Sequence, residues 1–368
     1  MAQYKNEYFP DTLTHPGVDL AEKLEEIGMG SKEFAIRTDK PEKTISAIIN
    51  GKSSITPEMA VRFETVLKIP ANYWLNSQKK YDEIIARAQR QRELSSCVSW
   101  LKKFPIKDLI ELGWIPKFTN PYEGVEALFD FFAVSNETAW KDYYLESKLK
   151  TDFRISLTRE KNPFALSAWL RKGELEAKAR KTEKYSESKL KKSLPILKSV
   201  MVSEEADFDV QIQNICGSAG LRVIYLPSIK GSCVNGATRW IDGSPLIQLS
   251  DRFKRYDIFW FTLFHEIGHI LLHGKKDIFI ESDEKIQSEP SLAYKEEEAD
   301  DFACDQLFSK KDETEFIRIG KYDQNSIIKF AKTKETHPSI IVGRLHHRNV
   351  LKKNIHTKLL KKIDFSVK

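Results

Sequence analysis

FTLFHEIGHILLHG, residues 261–274, carries two histidines four residues apart, His265 and His269, with Glu266 directly after the first. On a helix this spacing places both imidazoles on one face, which is the arrangement of a metal-binding helix. The flanking residues are apolar, and titratable side chains in such surroundings need a partner such as a metal. The stretch therefore predicts a metal site that keeps one coordination position open for water. Glu266 is predicted to be the base that takes the proton of that water.

A catalytic zinc ion needs a third protein ligand, usually a carboxylate or a histidine. His273 lies eight residues after His265, and at about 1.5 Å per residue its Cα is about 12 Å further along a straight helix. The three histidines of the stretch therefore do not reach one ion. We interpret His273 as a supporting residue, a charge at the helix C-terminus or a packing residue.

A better third ligand lies in residues 295–308, KEEEADDFACDQLF, whose apolar spacing is helical. Glu296 and Asp300 are four residues apart and share one helical face. Glu296 could then bind the metal. Asp300 could accept a hydrogen bond from the free N–H of a ligating histidine and so hold that ring in position. Glu297 and Glu298 stay open as alternatives for the ligand.

The C-terminal half resembles the ImmA/IrrE-type metallopeptidases, through the segments PLIQLS, FWFTLFHEIGHILLH, EEEADDFA and HPSIIVGRLHH. The second motif of that family usually reads E-x-E-A-N-x-F-A. The resemblance therefore implies that Glu296 is the third ligand and that Asp300 stands where asparagine is usual. It implies a zinc ion, and Mn²⁺ or Fe²⁺ suits the same nitrogen and oxygen donors. His337 matches the His-Pro before the final helix, where it is either a donor to the oxyanion of the tetrahedral intermediate or a packing residue at a helix start.

The first eighty residues show a different pattern, a series of four or five short helices with a compact turn between the second and the third. This is the layout of a helix-turn-helix module. Residues 15–81 resemble the XRE-type helix-turn-helix of HigA-like antitoxins, through HPGVDLAEKL, SKEFAIRT, KTISAIINGKSSITPEMAVRFE and ANYWLNSQKKYD. The resemblance implies that residues 41–50 form the recognition helix. It implies major-groove contacts from Lys43, Thr44 and Ser46, and phosphate contacts from Ser31, Lys32 and Lys52.

Charge is unevenly spread along the chain, whose formal net charge is +6. Residues 1–80 contain 11 basic and 11 acidic side chains, residues 141–200 contain 16 and 8, and residues 310–368 contain 15 and 6. Cationic contacts to phosphate supply most non-specific DNA affinity, so a neutral module leaves a second interpretation open. In that interpretation the module dimerises or docks on protein without touching DNA.

The predicted fold is α+β and mostly helical, in three parts. These are an all-α helix-turn-helix domain over residues 1–92, a helical connector over 93–215 and an α+β zincin-like metallopeptidase domain over 216–368. From Leu221 onward the sequence alternates and is broken by glycine and asparagine, which predicts strands and hairpins before the metal helix. Residues 232–238 are expected to form an edge strand that pairs with an extended substrate.

Composition limits the environment in which the chain works. Of its 368 residues 41% are hydrophobic, and no apolar run approaches the roughly 20 residues of a membrane helix. The first residues, MAQYKNEYFPDTL, have neither the basic nor the apolar part of a signal peptide. Four widely spaced cysteines fit reduced thiols rather than a disulfide framework. We therefore expect a cytoplasmic protein with no membrane partner.

These features together predict a DNA-binding regulator with a zinc-dependent endopeptidase domain. The expected substrate is a partner protein such as a transcriptional repressor, and the expected assembly is a homodimer. The alternative is a HigA-like antitoxin or repressor whose peptidase-like domain is a sensor or scaffold without turnover. Glu266 favours the enzyme, because a purely structural metal site does not need a base.

Overall fold

The computed structural model describes residues 14–152, 162–274, 279–282 and 290–363. The chain divides into two compact units, Met1–Cys97 and Val98–Lys368. The first unit contains the helices α1 (Pro16–Glu26), α2 (Ser31–Arg37), α3 (Glu42–Ile49), α4 (Pro57–Leu67) and α5 (Ala71–Ser96).

Local sequence signals set the helix starts in the first unit. Helix α4 begins with proline, and the Thr56 hydroxyl accepts a hydrogen bond from the Met59 amide at 3.3 Å. The apolar faces of the helices meet around Phe34, Phe63 and Trp74, which are fully buried. The ring centroids of Phe34 and Phe63 lie 4.9 Å apart, and those of Phe63 and Trp74 lie 5.9 Å apart. The unit thus has a core of its own.

The second unit combines helices with one small sheet. Its helices are α6 (Val98–Leu101), α7 (Ile106–Glu111), α8 (Pro121–Phe132), α9 (Glu137–Trp140), α10 (Pro163–Ala179), α11 (Glu187–Ser203), α12 (Phe208–Ser218), α13 (Tyr256–Leu272), α14 (Pro290–Leu307), α15 (Lys310–Ile319), α16 (Gln324–Thr333) and α17 (Pro338–His347). A π-helical segment, Lys141–Asp152, follows α9, and a short 3₁₀ turn, Thr357–Leu359, follows α17. None of the helices in the described ranges is long and apolar enough to cross a membrane.

The sheet contains β1 (Arg222–Leu226), β2 (Val234–Ile241), β3 (Ser244–Ser250) and β4 (Phe279–Ser282), in the order β1-β3-β2-β4. Strand β1 runs parallel to β3, while β2 is antiparallel to both β3 and β4. The turn between β2 and β3 is Asp242-Gly243, and both residues have positive φ, 52° and 77°. This is the conformation that two-residue hairpins favour.

The prediction of an edge strand over residues 232–238 is wrong. Strand β2 lies between β3 and β4, so its backbone groups are already used on both sides. The sequence pattern showed the alternation of a strand but not the later pairing with β4, which comes from residues 279–282 after the metal helix. The prediction of a mostly helical α+β chain with an all-α N-terminal unit is confirmed.

Helix α13 packs on the sheet and forms the centre of the core of the second unit. Trp260, Leu263, Phe264 and Ile267 of this helix are fully buried. Helices α11 and α12 contribute to the same core. The boundaries of the three predicted domains stay a prediction, although the packing of α11 and α12 joins the end of the expected connector to the sheet.

Helix α14 packs closely on α13 because the contact point is a glycine. A Cβ added at Gly268 would lie 3.1 Å from Cδ1 of Phe302 and 3.3 Å from the Cα of Ala299. The small residue lets the two helices approach. It thereby brings the acidic face of α14 next to the histidines of α13.

Candidate metal centre

His265, His269 and Glu296 place one donor atom each within 4.8 Å of one another. The two Nε2 atoms are 2.9 Å apart, and the Glu296 carboxylate oxygens lie 3.2 Å from Nε2 of His265 and 3.5 Å from Nε2 of His269. Ligands of a tetrahedral zinc ion, each about 2.0–2.1 Å from the metal, are about 3.3 Å apart. The donor set and its spacing therefore fit a divalent metal such as zinc.

Asp300 fixes the orientation of His265. Its Oδ1 lies 2.9 Å from Nδ1 of His265, so that nitrogen donates to the carboxylate. In this tautomer the Nε2 lone pair is available to a metal ion held between the three donors. Asp300 therefore lies where the sequence predicted a residue that supports a ligating histidine.

The remaining candidates around the cluster lie away from the three donor atoms. Nε2 of His273 is 3.0 Å from the Lys295 carbonyl, and its Nδ1 is 3.8 Å from Glu298. Glu297 is exposed. Of the three consecutive glutamates, Glu296 is the one that the structure brings to both histidines.

The protonation states of the cluster suit metal binding. Burial lowers the pKa of His269 to about 4, so its imidazole is neutral at pH 7. Burial acts to raise the pKa of Glu296, but hydrogen bonds to His265 and His269 outweigh it and lower the pKa to about 2. A neutral imidazole and an ionised carboxylate are the forms that a metal requires.

Glu266 is fully buried and lies against strand β2. A Cβ added at Gly236 would be 2.6 Å from Oε1 of Glu266 and 2.6 Å from Cγ2 of Thr262. The glycine therefore leaves the space that the carboxylate occupies beside the histidine pair. Sequence reasoning missed this role of Gly236, although a glycine inside a strand pattern is a known signal of close backbone approach.

The catalytic role predicted for His337 is not supported by its position. His337 caps the N-terminus of α17 by accepting a hydrogen bond from the Ser339 amide through Nδ1, at 3.0 Å. Its Nε2 bonds to Glu204, and its ring lies 4.7 Å from that of Tyr256. Tyr256 is nine residues before His265, about 13 Å along α13. His337 is thus a packing and capping residue, the second of the two interpretations that the sequence left open.

The six predicted DNA-contact residues lie on the first unit, at α2, α3 and the turn after α3. Lys32, Lys43, Ser46 and Lys52 are exposed, while Ser31 and Thr44 are half-buried. The exposed positions alternate with Ile45 and Ile48, which are fully buried in the core of the unit. Helix α3 therefore presents a polar face and buries an apolar one, as the recognition helix of a helix-turn-helix does.

An all-α helix-turn-helix unit and an α+β unit with a two-histidine, one-glutamate cluster define a regulator-like protein with a metallopeptidase-like domain. Residues 216–336 match the family model for the IrrE N-terminal-like domain, Peptidase_M78. Over 80 residues the chain is 31% identical to the uncharacterized HTH-type transcriptional regulator YddM of Escherichia coli (strain K12). The match covers 22% of this chain and 83% of that protein. Over 69 residues it is 39% identical to virulence-associated protein A of Dichelobacter nodosus, and the match covers 18% of this chain and 68% of that protein.

Two solved structures are also similar to the chain. An addiction module antidote protein of the HigA family from Coxiella burnetii is 30% identical and covers 23% of this chain and 92% of its own, with a TM-score of 0.22. A putative antidote protein of a plasmid maintenance system from Nostoc punctiforme is 31% identical and covers 23% and 91%, with a TM-score of 0.22. The chain belongs to the HTH-type regulators and carries an IrrE-like domain, so the two resemblances predicted from the sequence are confirmed.

Proposed function

We propose that this chain is a DNA-binding regulator whose IrrE-like domain is a metal-dependent endopeptidase, and that its substrate is a partner protein such as a transcriptional repressor. The observation that carries the proposal is the meeting of His265, His269 and Glu296 beside the buried Glu266. In a structural metal site the protein ligands fill every coordination position, and no adjacent carboxylate is needed. A hydrolytic site needs an open coordination position for water and an adjacent carboxylate that takes the proton of that water.

Zinc fits the three donors, which would hold it with two neutral imidazoles and one carboxylate. When bound, such an ion polarises a carbonyl group and lowers the pKa of a coordinated water. Glu266 takes the proton of the attacking water and donates it to the leaving amine. Asp300 keeps the His265 ring in its orientation through the 2.9 Å contact to Nδ1.

Burial of the site supports a hydrolytic role for Glu266. His265 and His269 are at most 2% exposed and Glu266 is inaccessible, while Glu296 is partly exposed. Water is therefore limited to the side of the cluster where Glu296 lies. In such surroundings a charge that develops during the reaction interacts more strongly with fixed groups than it does in water.

DNA binding is the second part of the proposal, and it is supported by the distribution of ion pairs on the first unit. Arg37 pairs with Glu33, Lys40 with Glu58, and Arg62 with Asp39 and Glu58. Lys32, Lys43 and Lys52 pair with no residue that the structure describes. Although the first eighty residues are neutral overall, these three lysines of α2, α3 and the turn after α3 are therefore available for phosphate. Lys68, Lys79 and Lys80, which lie elsewhere on the unit, are also exposed. A homodimer that places two copies of α3 on two half-sites stays a prediction.

Replacement of Glu266 by Gln tests the peptidase. We would express the wild-type chain and Glu266→Gln at equal levels in cells and label new protein N-termini for mass spectrometry. The proposal expects cleavage products that need the wild-type chain and are absent with Glu266→Gln. Glu297→Gln, an exposed change one residue from the ligand, is the matched control and retains the products.

The alternative of a regulator without turnover gives the opposite outcome. In that case Glu266→Gln leaves the N-termini and every regulatory phenotype unchanged, whereas Lys43→Ala in α3 abolishes regulation. A gel shift with DNA from upstream of its own gene tests the DNA-binding part separately. No shift even at low salt would mean that the first unit binds protein only.

A further inference from the structure

His273, at the end of the metal helix, contacts the helix that carries the third metal ligand. Its side chain is 3% exposed, and its ring centroid lies 5.3 Å from that of His269. Nε2 of His273 lies 3.0 Å from the carbonyl oxygen of Lys295. A carbonyl oxygen only accepts hydrogen bonds, so Nε2 carries the hydrogen and is the donor. The ring therefore makes a direct hydrogen bond from the end of α13 to the backbone of α14.

The carbonyl group that accepts this hydrogen bond belongs to the peptide group that joins Lys295 to Glu296. The peptide group is planar, so a contact that holds its oxygen also restricts the nitrogen and the Cα of Glu296. Nδ1 of His273 lies 3.8 Å from the Glu298 carboxylate, which is beyond hydrogen-bond distance. The hydrogen bond of His273 therefore acts on the backbone directly before the third ligand.

The ligand lies on a part of α14 that is weakly packed. Among the described side chains of this helix, Ala299 is the first that is buried. Ala293 and Tyr294 are exposed, and the side chain of Glu296 is 38% exposed. A glutamate side chain loses much rotamer freedom when it is fixed. Apolar packing therefore does not by itself hold Glu296 in the orientation that a metal requires.

Two hydrogen bonds from α13 lie on either side of Glu296 in the sequence of α14. His273 bonds to the residue before Glu296, at 3.0 Å. His265 bonds through Nδ1 to Asp300, four residues after Glu296, at 2.9 Å. Between these contacts the Glu296 carboxylate oxygens lie 3.2 Å from Nε2 of His265 and 3.5 Å from Nε2 of His269.

We propose that His273 is a positioning residue for the third metal ligand. Its Nε2–H group holds the Lys295–Glu296 peptide group and so keeps the Glu296 carboxylate facing the two ligating histidines. Of the three interpretations of His273 that the sequence left open, this is the supporting residue. The inference rests on the metal centre of the proposed function, and metal binding tests it without turnover.

Two amide variants separate the hydrogen bond from the volume of the ring. His273→Gln places an N–H donor three bonds from Cβ, as Nε2 of histidine is, whereas His273→Asn places it only two bonds away. We expect His273→Asn and the donor-free His273→Leu to bind zinc about tenfold more weakly than the wild type, because residues that orient metal ligands contribute about 10- to 100-fold in affinity. His273→Gln should bind zinc nearly as tightly as the wild type.

Competition with a chromophoric chelator on the full chain measures the four affinities. His347→Leu makes the same chemical change at an exposed histidine of α17 and is the matched control, which retains the wild-type affinity. Equal affinity of the wild type and His273→Leu would overturn the positioning role. An equal loss of affinity in His273→Gln and His273→Leu would overturn it as well, because the glutamine keeps the donor.

Unfolding of the metal-free chain in urea separates positioning from packing. A residue that only packs would lower the free energy of unfolding in His273→Leu and leave the zinc affinity unchanged, and that result would contradict the inference. The positioning role expects the zinc affinities of His273→Gln and His273→Asn to differ even where their free energies of unfolding are the same.

Cobalt(II) in place of zinc reports on Glu296 itself. Co²⁺ suits the same nitrogen and oxygen donors, and its visible absorption depends on the number and geometry of its ligands. We expect the spectrum of His273→Leu to shift toward that of Glu296→Ala, and the spectrum of His273→Gln to match the wild type. A wild-type chain that binds neither ion would remove the metal centre and the peptidase with it. Wild-type binding and a spectrum that His273→Leu leaves unchanged would remove the positioning role alone.

Discussion

The metal centre and the helix-turn-helix surface differ in how much of their geometry the chain itself supplies. At the metal centre the Asp300 carboxylate holds the His265 ring, and hydrogen bonds to both histidines keep the Glu296 carboxylate ionised. On α3 the side chain of Lys43 is exposed and pairs with no described residue. The contacts within the chain show how the side chains of the metal centre are positioned. For a surface that DNA would contact, the chain shows only which side chains are exposed and unpaired.

The largest effect is expected at the close contact between β2 and the metal helix. In Gly236→Ala the added Cβ would lie 2.6 Å from the Glu266 carboxylate and from Thr262, so the carboxylate must move. Displacement of a proton-transfer group by about 1 Å costs on the order of 100-fold in rate. Cleavage of the substrate found with the Glu266→Gln comparison should fall by about that factor, while bound metal is retained.

Gly30→Ala is the control for that change, because no atom lies within 4 Å of the added Cβ. Its φ is −75°, which any residue adopts. If Gly236→Ala and Gly30→Ala cleave at the same rate, the carboxylate does not depend on the space at Gly236.

A smaller effect is expected where one side chain orients a metal ligand. Asp300→Ala removes the acceptor 2.9 Å from Nδ1 of His265 and should weaken zinc binding by about 10- to 100-fold. Asp300→Asn keeps an oxygen acceptor and should weaken it much less. Competition with a chromophoric chelator measures both affinities. Equal affinity in Asp300→Ala and the wild type would show that the contact does not support the ligand.

On the helix-turn-helix surface a change of about tenfold in DNA affinity is expected. Lys43→Ala should weaken specific DNA binding by about that factor, since base contacts contribute about 1–3 kcal/mol each. Lys52→Ala should weaken binding to all sequences and reduce the slope of log affinity against log salt by about 1. Lys80→Ala, an exposed change on α5 of the same unit, is the control. Fluorescence anisotropy over a salt series separates the three variants.

The smallest effect is a pH dependence of the metal-free chain. His269 has its pKa lowered by burial from 6.5 to about 4, so the unfolded chain binds more protons between those pH values. The free energy of unfolding should therefore fall as the pH is lowered from about 6.5 to about 4. Glu296, whose pKa is lowered to about 2, adds to this fall only below 4.5. Urea unfolding at each pH, with His269→Gln for comparison, measures the difference, and identical profiles would contradict it.

Much of the metal centre could be predicted because its elements are periodic. The spacing of His265 and His269 on a helix, and of Glu296 and Asp300 on another, follows from 3.6 residues per turn. The predictions for these two helices needed only local geometry. The placement of Lys43 and Ser46 on a recognition helix was instead implied by the resemblance to the XRE-type helix-turn-helix.

The parts that could not be predicted depend on tertiary contacts between distant segments. The sequence did not show that β4 pairs with β2, so the expected edge strand became an interior one. It did not show that His337 would bond to Glu204, which is 133 residues away. The bulge that makes Asn235 an extra residue of β2 likewise depends on the register between β2 and β4. Pairing partners and register are set by the whole fold, which local patterns do not contain.

The metal content of two neighbouring variants tests the central claim most directly. The full chain, Glu296→Ala and Glu297→Ala would be loaded with zinc, dialysed and measured by inductively coupled plasma mass spectrometry. The proposed centre predicts about one zinc per chain in the wild type and in Glu297→Ala, and little zinc in Glu296→Ala. Zinc retained by Glu296→Ala but lost from Glu297→Ala, or absent from the wild type, would contradict the assignment of the metal centre.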